Sequence, residues 1–258
     1  MTELNYAVDG AVARIEINRP DQRNAMTFGV MSGLRESMAR VKDDASIRVV
    51  VITGAGDRAF CAGADLRGVA ENQSASEAHD GRGLLADLFR DMWSLGKPTI
   101  ARVRGYALAG GFGLAMACDF VIAADDAKFG TPEIDVGLWP YMITVPLLRA
   151  MPPKVALDLM TTGRRVDAAE AARLGFVNRV VPVDELDAEV DALAAQLAQK
   201  SPLVMRWGRE SFYRALEMSS DDALDYLQAM LTVTTQSDDA KEGVSAFVEK
   251  RSPRWSGR

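Results

Sequence analysis

Apolar residues recur with a period of two in the first part of the chain. In "AVARIEINRP", Ala13, Ile15 and Ile17 alternate with the residues between them, and the run stops at Pro20. The segment "IRVVVITGAG" is a continuous β-branched run that ends at glycines. Alternation and β-branched runs bounded by turn residues are typical of strands. We therefore predict a strand in each segment.

Between these two strands the apolar spacing changes to three and four residues, which is the spacing of one helical face. That face carries Met26, Val30, Leu34, Met38 and Val41. A second unit follows, with a polar helix near 81–95, the break "GKP", the strand "TIARVRG" and a glycine-rich segment. Strands that alternate with helices predict an α/β fold, here with mixed sheet geometry.

The pattern changes to successive helices from about Asp184. One apolar face carries Leu186, Val190, Leu193 and Leu197, and a later one carries Leu224, Leu227 and Leu231. We predict a helical C-terminal third, part of whose apolar surface serves a subunit contact.

Composition and charge narrow the classes of protein. The chain has 258 residues, 48% of them hydrophobic, with a formal net charge of −6. This length supports one large core, and the negative charge argues against nucleic acid or an anionic membrane as a partner. Cys61 and Cys118 lack metal-ligand spacing, so we expect buried, reduced thiols. No segment has the length and apolarity of a membrane span, and the N-terminus does not resemble a signal peptide, so we expect a cytoplasmic protein.

Glycines are concentrated in "VRGYALAGGFGLAMACDF", residues 103–120, where Gly105, Gly110, Gly111 and Gly113 precede and enter an apolar helical run. Each glycine destabilises a helix by roughly 0.5–1 kcal/mol relative to alanine, so the cluster indicates that backbone approaches something closely.

Two possible functions of the glycine-rich segments, dinucleotide binding and hydrolysis, disagree with other features of the sequence. "GAGDRA" at 54–59 matches a dinucleotide fingerprint, but no helical pattern follows it. A hydrolase needs a base beside its nucleophile, and His79, the one histidine, lies in a polar stretch that we interpret as a solvated loop.

A third explanation accounts for both glycine-rich segments. "VVVIT" leads into "GAGDRAFCAGADL", and "TIARV" leads into "RGYALAGGFGLA". The ends of two adjacent strands place their loops side by side, so that two peptide N–H groups converge near a helix start. Such a pair is suited to an oxygen that gains negative charge during a reaction, which is an oxyanion hole.

Several motifs resemble the crotonase superfamily of enoyl-CoA hydratases and isomerases. They are "INRPDQRNAM", "AFCAGADL", "GYALAGGFGLAMACDF", "AKFGTPEIDVGLWP", "MTTGRRVDAAEAARLGFVNRVV" and "EGVSAFVEKR". They occur in order over nearly the whole chain. The resemblance implies an α/β crotonase-like spiral of ββα units at 1–195 and a C-terminal helical trimerisation region at 196–258. It also implies a homotrimer or dimer of trimers and an acyl-CoA thioester substrate, with coenzyme A entering as part of that substrate and no separate cofactor or metal.

The same resemblance assigns roles to individual residues. The N–H groups of Ala64 and Gly110 would hold the thioester oxygen as it becomes enolate-like, and Glu133 of the "PE" dipeptide would be the acid–base group. The residues expected around coenzyme A are Arg23, Ala25, Ala62, Asp65, Leu66, Phe247 and Lys250, of which the last two often come from a neighbouring subunit. Gly113, Trp139 and Tyr141 are expected to line the substrate pocket.

Gly113 departs from the family pattern. The family's hydratases place a first glutamate in the helix after the oxyanion glycine and a second one twenty residues later; here the second is Glu133, but the first position is Gly113. Two carboxylates hold and deprotonate water well, so the loss of one puts hydration in doubt. In "GLWPYMITV", Tyr141 occupies the position that resembles the family's water-holding glycine. Its phenol would either intrude into the space of that water or donate a hydrogen bond there.

One carboxylate is sufficient to move a double bond, because a single base removes a proton at C2 and returns it at C4. We therefore expect isomerisation of an enoyl-CoA, with apolar neighbours such as Ile134, Leu138 and Trp139 raising the pKa of Glu133. Hydration of a 2-enoyl-CoA to a 3-hydroxyacyl-CoA is the alternative, followed by other reactions that share the enolate. A non-catalytic acyl-CoA-binding protein is a further alternative, and Asp119 and Asp135 are possible second acids.

Overall fold

A computed structural model of the protein describes residues 3–65 and 75–258. Its larger sheet has six strands in the order β1-β2-β3-β5-β7-β10. The strands are β1 Leu4–Asp9, β2 Val12–Ile17, β3 Val49–Gly54, β5 Thr99–Val103, β7 Phe120–Ala124 and β10 Arg179–Val181. β1 pairs antiparallel with β2, and the other neighbours are parallel. The mixed geometry predicted from the sequence is confirmed.

A smaller sheet of four strands has the order β4-β6-β8-β9. Its strands are β4 Ala59–Cys61, β6 Tyr106–Leu108, β8 Lys128–Gly130 and β9 Arg165–Asp167. The first three are parallel, and β9 pairs antiparallel with β8. The pairs β3–β4, β5–β6 and β7–β8 each cross from the larger sheet to the smaller one, and helices follow β4 and β6. This is the expected spiral of ββα units.

Ten α-helices lie in the described parts of the chain. They are α1 Phe28–Asp43, α2 Ala75–Trp93, α3 Gly110–Ala117, α4 Thr144–Ala150, α5 Pro153–Thr162, α6 Ala168–Arg173, α7 Leu186–Ala198, α8 Pro202–Ala215, α9 Ser220–Thr235 and α10 Asp238–Glu249. The helix predicted at 81–95 is therefore α2, which begins six residues earlier. His79 lies in α2 rather than in a loop, with its side chain exposed. The predicted division after residue 195 falls within α7.

The continuous apolar run of β3 reflects a strand buried on both faces. Val50 and Ile52 belong to the main core, which includes the buried face of α1. Val49 and Val51 point to the opposite side, where they pack in a second cluster with Leu186 and other residues of α7. The predicted apolar faces of α1 and α7 are both confirmed as buried.

The C-terminal helices join the core through a polar network. Arg209 of α8 donates hydrogen bonds to Asp119 (2.8 Å) and to the carbonyl oxygens of Met92 (2.7 Å) and Trp93 (2.8 Å) at the end of α2. Tyr213 also donates to Asp119 at 2.6 Å. Asp119, which the sequence left open as a second acid, is thus bound in a structural network with Arg209 and Tyr213.

Candidate active site

Three loops meet at the carboxyl edge of the smaller sheet. Residues 62–65 follow β4, Ala109 and Gly110 follow β6, and residues 131–133 follow β8. Because β4, β6 and β8 are adjacent and parallel, their carboxyl ends share one edge, which is where ligands bind in open α/β sheets. The Ala109 N–H donates to the Gly130 carbonyl at 2.9 Å and joins two of these loops. The predicted loops are brought together, although short strands β4 and β6, rather than β3 and β5, lead into them.

The two predicted oxyanion donors are neighbours. A Cβ built on Gly110 would lie 3.8 Å from the Ala64 nitrogen, and one built on Gly63 would lie 3.3 Å from the Gly110 nitrogen. Within residues 3–65 and 75–258, neither the Ala64 N–H nor the Gly110 N–H makes a hydrogen bond. Gly110 is also the first residue of α3, where the helix dipole reinforces a free N–H. The pair has the geometry to accept an anionic oxygen.

The loop that carries Ala64 is fixed by the segment before α1. The Met26 N–H donates to the Gly63 carbonyl at 2.7 Å, and the Asp65 N–H donates to the Met26 carbonyl at 2.9 Å. These bonds use the Gly63 carbonyl oxygen and the Asp65 N–H, and neither of them uses the Ala64 N–H. Met26, which the sequence pattern assigned only to a core face, is therefore also a positioning residue.

Backbone strain and close approach mark the Gly110 side. Ala109 has φ 51° and ψ −130°, a conformation that a residue with a Cβ rarely adopts. Gly63, with φ +99°, has no room for a side chain because a Cβ there would lie 2.6 Å from Cβ of Ala109. Gly111 packs against Cys61, where a Cβ would lie 2.7 Å from the carbonyl carbon. The glycines thus allow the two loops to contact each other through their backbones.

Glu133 lies in a 3₁₀ helix, Pro132–Val136, directly after the β8 edge. Its Oε2 is buried and has no hydrogen-bond partner in the part of the chain that the structure describes. Burial raises the pKa of Glu133 above its ordinary value, and a backbone hydrogen bond offsets this only in part. Buried polar atoms are almost always paired, so an unpartnered carboxylate oxygen marks a functional group. Ile134 and Leu138 are themselves substantially exposed, so these two side chains do not form a closed apolar shell around Glu133.

Gly113 is buried, and its space is already filled. A Cβ at position 113 would collide with Cγ2 of Ile143, lie 2.6 Å from Cβ of Ile143 and lie 3.3 Å from Cζ of Phe89. Gly113 is three residues beyond Gly110, so both lie on one face of α3. Ile143 was not identified from the sequence, because it is thirty positions away from Gly113.

A cleft of about 380 Å³ adjoins the Ala64 amide. It is lined by Asp21, Gln22, Arg23, Ala25, Ala62, Ala64 and Asp65. The structure therefore brings together Arg23, Ala25, Ala62 and Asp65, which were predicted from separate motifs. Arg23 is exposed, whereas the Asp65 carboxylate pairs with Arg19 at 3.0 Å.

Asn24 positions this cleft, a role that the sequence reasoning missed. It is fully buried with φ 55°. Its Nδ2 donates to the carbonyl oxygens of Ala55 (2.9 Å) and Ala59 (2.7 Å), and its Oδ1 accepts from the Arg19 N–H at 3.0 Å. The side chain thereby joins the loop before α1 to both ends of the β3–β4 connection. The sequence feature that could have indicated this role is the position of Asn24 within the motif "NRPDQRNAM".

The remaining predicted residues are more dispersed. Trp139 is half-buried against the main core, but Tyr141 is 75% exposed, so its phenol does not fill an enclosed water site. Asp135 is also exposed. Phe247, 85% exposed, borders a separate groove of about 980 Å³ among the C-terminal helices, and Lys250 ends α10. Neither joins the cleft within one chain. Leu66 lies outside the described residues.

Both cysteines are buried free thiols, as expected. Burial raises the pKa of Cys61 to about 12. In residues 3–65 and 75–258, no group of three or more histidine, cysteine, aspartate or glutamate side chains is placed to hold a metal ion. No helix in these same ranges combines the length and apolarity needed to cross a membrane.

Comparison with known families decides the classification. The family model described as enoyl-CoA hydratase/isomerase matches residues 7–258. The chain belongs to the enoyl-CoA hydratase/isomerase family. A probable enoyl-CoA hydratase of Mycobacterium bovis is 41% identical over 254 residues, covering 97% of this chain and 96% of that protein. A carnitinyl-CoA dehydratase of Proteus mirabilis is 39% identical over 260 residues, covering 99% and 98%.

Solved structures of the family confirm the crotonase-like fold. The crystal structure of an enoyl-CoA hydratase from Mycobacterium smegmatis superimposes with a TM-score of 0.94 at 34% identity, covering 98% of each chain. That of an enoyl-CoA hydratase from Bacillus anthracis also gives 0.94, at 31% identity, covering 99% of this chain and 100% of that one. The protein is thus an acyl-CoA enzyme of the hydratase/isomerase type.

Proposed function

We propose that this family member is an enoyl-CoA isomerase that moves a double bond from C3 to C2 of an acyl-CoA thioester. The observation that carries the proposal is that Glu133 has a buried, unpartnered carboxylate oxygen while position 113 is a glycine. Glu133 is available for proton transfer, and Gly113 offers no second carboxylate. Two acids, Asp21 and Asp65, line the cleft beside Ala64, and the Asp65 carboxylate is paired with Arg19.

The proposed reaction is a proton transfer in two steps. Ionised Glu133 removes a proton from C2 of the 3-enoyl thioester, and the electron pair is delocalised onto the thioester oxygen as a dienolate. The N–H groups of Ala64 and Gly110 stabilise that oxygen, an interaction that strengthens as negative charge develops. Protonated Glu133 then returns the proton to C4, and the double bond forms between C2 and C3. Raising the pKa of Glu133 suits both steps, since the group must accept and release one proton.

We place the coenzyme A portion of the substrate at the cleft beside Ala64. The exposed guanidinium of Arg23 supplies local positive charge for an anionic ligand on an otherwise acidic protein. The backbones of Ala25 and Ala62 border the same cleft and offer close approach without large side chains. Coenzyme A enters with the substrate in this proposal, and the chemistry uses no other cofactor.

Water addition or elimination is the second candidate. It is favoured by the relatives, whose names are enoyl-CoA hydratase and carnitinyl-CoA dehydratase. It requires another group to replace the carboxylate that position 113 lacks. A non-catalytic acyl-CoA-binding protein, the third candidate, gives no reason for Glu133 to keep a buried, unpartnered carboxylate oxygen.

We also propose that the chain forms a homotrimer or a dimer of trimers. The C-terminal helices carry many exposed large apolar side chains: Phe212, Leu216, Leu224, Leu231, Val244, Phe247 and Val248. Exposed apolar side chains concentrated in one region of a protein are typical of subunit interfaces. A neighbouring subunit would bring Phe247 and Lys250 towards a coenzyme A site that they do not reach within their own chain. A cytoplasmic location stays a prediction from the sequence.

Product analysis tests the proposed reaction. The purified protein is incubated separately with trans-3-hexenoyl-CoA and trans-2-hexenoyl-CoA, and the products are identified by NMR. We expect the first thioester to be converted to the second, with no 3-hydroxyhexanoyl-CoA from either. Accumulation of the 3-hydroxy product would support hydration instead, and binding without turnover or proton exchange would support the non-catalytic alternative.

A further inference from the structure

Ile143 occupies the space in which a side chain at position 113 would lie. A Cβ at that position would collide with Cγ2 of Ile143 and would also lie within 2.6 Å of Cβ of Ile143. The Ile143 side chain is 2% exposed. The loss of a carboxylate at position 113 has therefore left no vacant volume.

Ile143 has little freedom to move away. Its side chain is β-branched, which restricts rotation about χ1, and its Cβ moves only with the backbone. That backbone is fixed at the start of α4, where the Ile143 carbonyl accepts a hydrogen bond from the Leu147 N–H at 3.0 Å. Phe89 of α2 closes the same volume, since its Cζ would lie 3.3 Å from a Cβ at position 113. Accommodating a larger residue at 113 thus requires a change at Ile143.

The groups that fill this volume are hydrocarbon. An ordered water molecule needs two to four polar partners, and neither Ile143 nor Phe89 supplies one. Glu133, in contrast, comes from the neighbouring β8 edge and keeps an unpartnered oxygen. The volume beside Gly113 on α3 is therefore lined by hydrocarbon groups, while the β8 side carries the carboxylate.

We propose that Ile143 is a specificity-determining residue, which excludes water and a second acid from the α3 side of the acyl site so that proton transfer occurs without water addition. This inference rests on the proposed function of Glu133 as the proton carrier. It also makes position 113 and position 143 a coupled pair, because Cβ of Ile143 alone would lie 2.6 Å from a Cβ at 113, so a carboxylate can be restored at 113 only when the whole Ile143 side chain is removed.

The test compares Gly113→Glu, Ile143→Gly and Gly113→Glu/Ile143→Gly with the wild type, and uses Ile143→Val as the matched control. Each variant is given trans-2-hexenoyl-CoA, and 3-hydroxyhexanoyl-CoA is measured by NMR. We expect the double variant to form the hydroxy product at least about tenfold faster than the wild type and both single variants, because two carboxylates then flank one water. Ile143→Val should keep the wild-type product distribution.

A double-mutant cycle of melting temperatures tests the inference even if the Gly113→Glu double variant does not fold. Gly113→Ala should lower the melting temperature by about 2–6 °C because of overpacking, and Ile143→Gly should relieve that effect when the two are combined. Strictly additive effects of Gly113→Ala and Ile143→Gly on the melting temperature would overturn the claim that the two side chains share one volume.

Failure of this inference and failure of the proposed function give different results. A folded Gly113→Glu/Ile143→Gly variant that still isomerises trans-3-hexenoyl-CoA, but hydrates trans-2-hexenoyl-CoA no faster than the wild type, would overturn the role of Ile143 and leave the isomerase proposal intact. A wild-type protein that hydrates 2-enoyl-CoA, or that neither isomerises 3-enoyl-CoA nor exchanges its C2 proton, would overturn the proposed function itself.

Discussion

At the scale of single residues, the chemistry depends on how burial alters one carboxyl group. Glu133 has an elevated pKa because burial disfavours its charged form. Removal of a C2 proton requires the ionised form, so activity should fall as pH decreases through this raised pKa.

We predict that the acid limb of kcat/KM for isomerisation lies above the ordinary pKa of a glutamate. The measurement is a pH–rate profile of the wild type beside Asp135→Asn, which removes an exposed carboxylate from the same 3₁₀ helix. Asp135→Asn should leave the limb in place. A limb at the ordinary glutamate pKa, or one that moves in Asp135→Asn, would contradict the assignment.

The oxyanion donors are backbone groups, so they are tested through the glycine that sets their separation. Gly63→Ala places a Cβ 2.6 Å from Cβ of Ala109 and must displace the Ala64 or Gly110 N–H. We predict that kcat falls by about 100-fold, the typical effect of losing one such donor.

Gly175→Ala is the control for backbone strain. Gly175 also has a positive φ, +88°, but a Cβ there would meet nothing within 4 Å. This variant should lose some stability and keep its kcat. Equal losses of kcat in Gly63→Ala and Gly175→Ala would show that strain, rather than displacement of the donors, is responsible.

At the scale of secondary-structure elements, the C-terminal segment is held by one buried carboxylate at the start of α10. Asp239 accepts hydrogen bonds from Ser201 Oγ (2.6 Å) and from the backbone N–H groups of Ser256 (2.6 Å) and Gly257 (3.0 Å). Burial opposes ionisation, but these bonds together outweigh it and lower the pKa of Asp239. A lowered pKa contributes stability that is present at neutral pH and is lost as pH falls through it.

We predict that Asp239→Asn destabilises the fold by about 2 kcal/mol at pH 7, because an amide nitrogen replaces one acceptor and the charge is lost. Thermal unfolding of both proteins should show this difference, and the difference should shrink in acid as Asp239 of the wild type becomes protonated. A difference that is constant with pH would contradict the role of the ionised carboxylate.

Sequence patterns predicted the long elements better than the short ones. The faces of α1 and α7 repeat over three or more turns, which makes them recognisable. Strands β4 and β6 have three residues each, too few to show a period, so the loops were assigned to β3 and β5 instead. The beginning of α2 was placed too late because "ASEAHDGRG" is polar and lacks the apolar repeat that marks a helix.

The site was predictable where motifs carry it and not where tertiary packing does. Ala64, Gly110 and Glu133 stand in motifs that resemble the family, and the structure brings their loops to one sheet edge. The partnership of Ile143 with Gly113 depends on the approach of α4 to α3, which no local pattern encodes. The exposure of Tyr141 likewise depends on how the segment after Pro140 leaves the core.

At the scale of the whole molecule, the account predicts an oligomer. Light scattering coupled to size-exclusion chromatography should give three or six times the chain mass of 28.0 kDa. Lys250→Ala should keep this mass and raise the KM for the thioester, because the side chain would reach coenzyme A from a neighbouring subunit. A monomer with an unchanged KM in Lys250→Ala would contradict both statements.

The central claim is that Glu133 alone carries the proton from C2 to C4. The most direct measurement is NMR of trans-3-hexenoyl-CoA in D₂O with the wild type and with Glu133→Gln, a near-isosteric change that cannot act as a base. We predict that the wild type forms the 2-enoyl thioester with protium transferred from C2 to C4, and that Glu133→Gln still binds the substrate but is slower by about 10²–10⁴-fold. Product formation by Glu133→Gln at the wild-type rate would contradict the account.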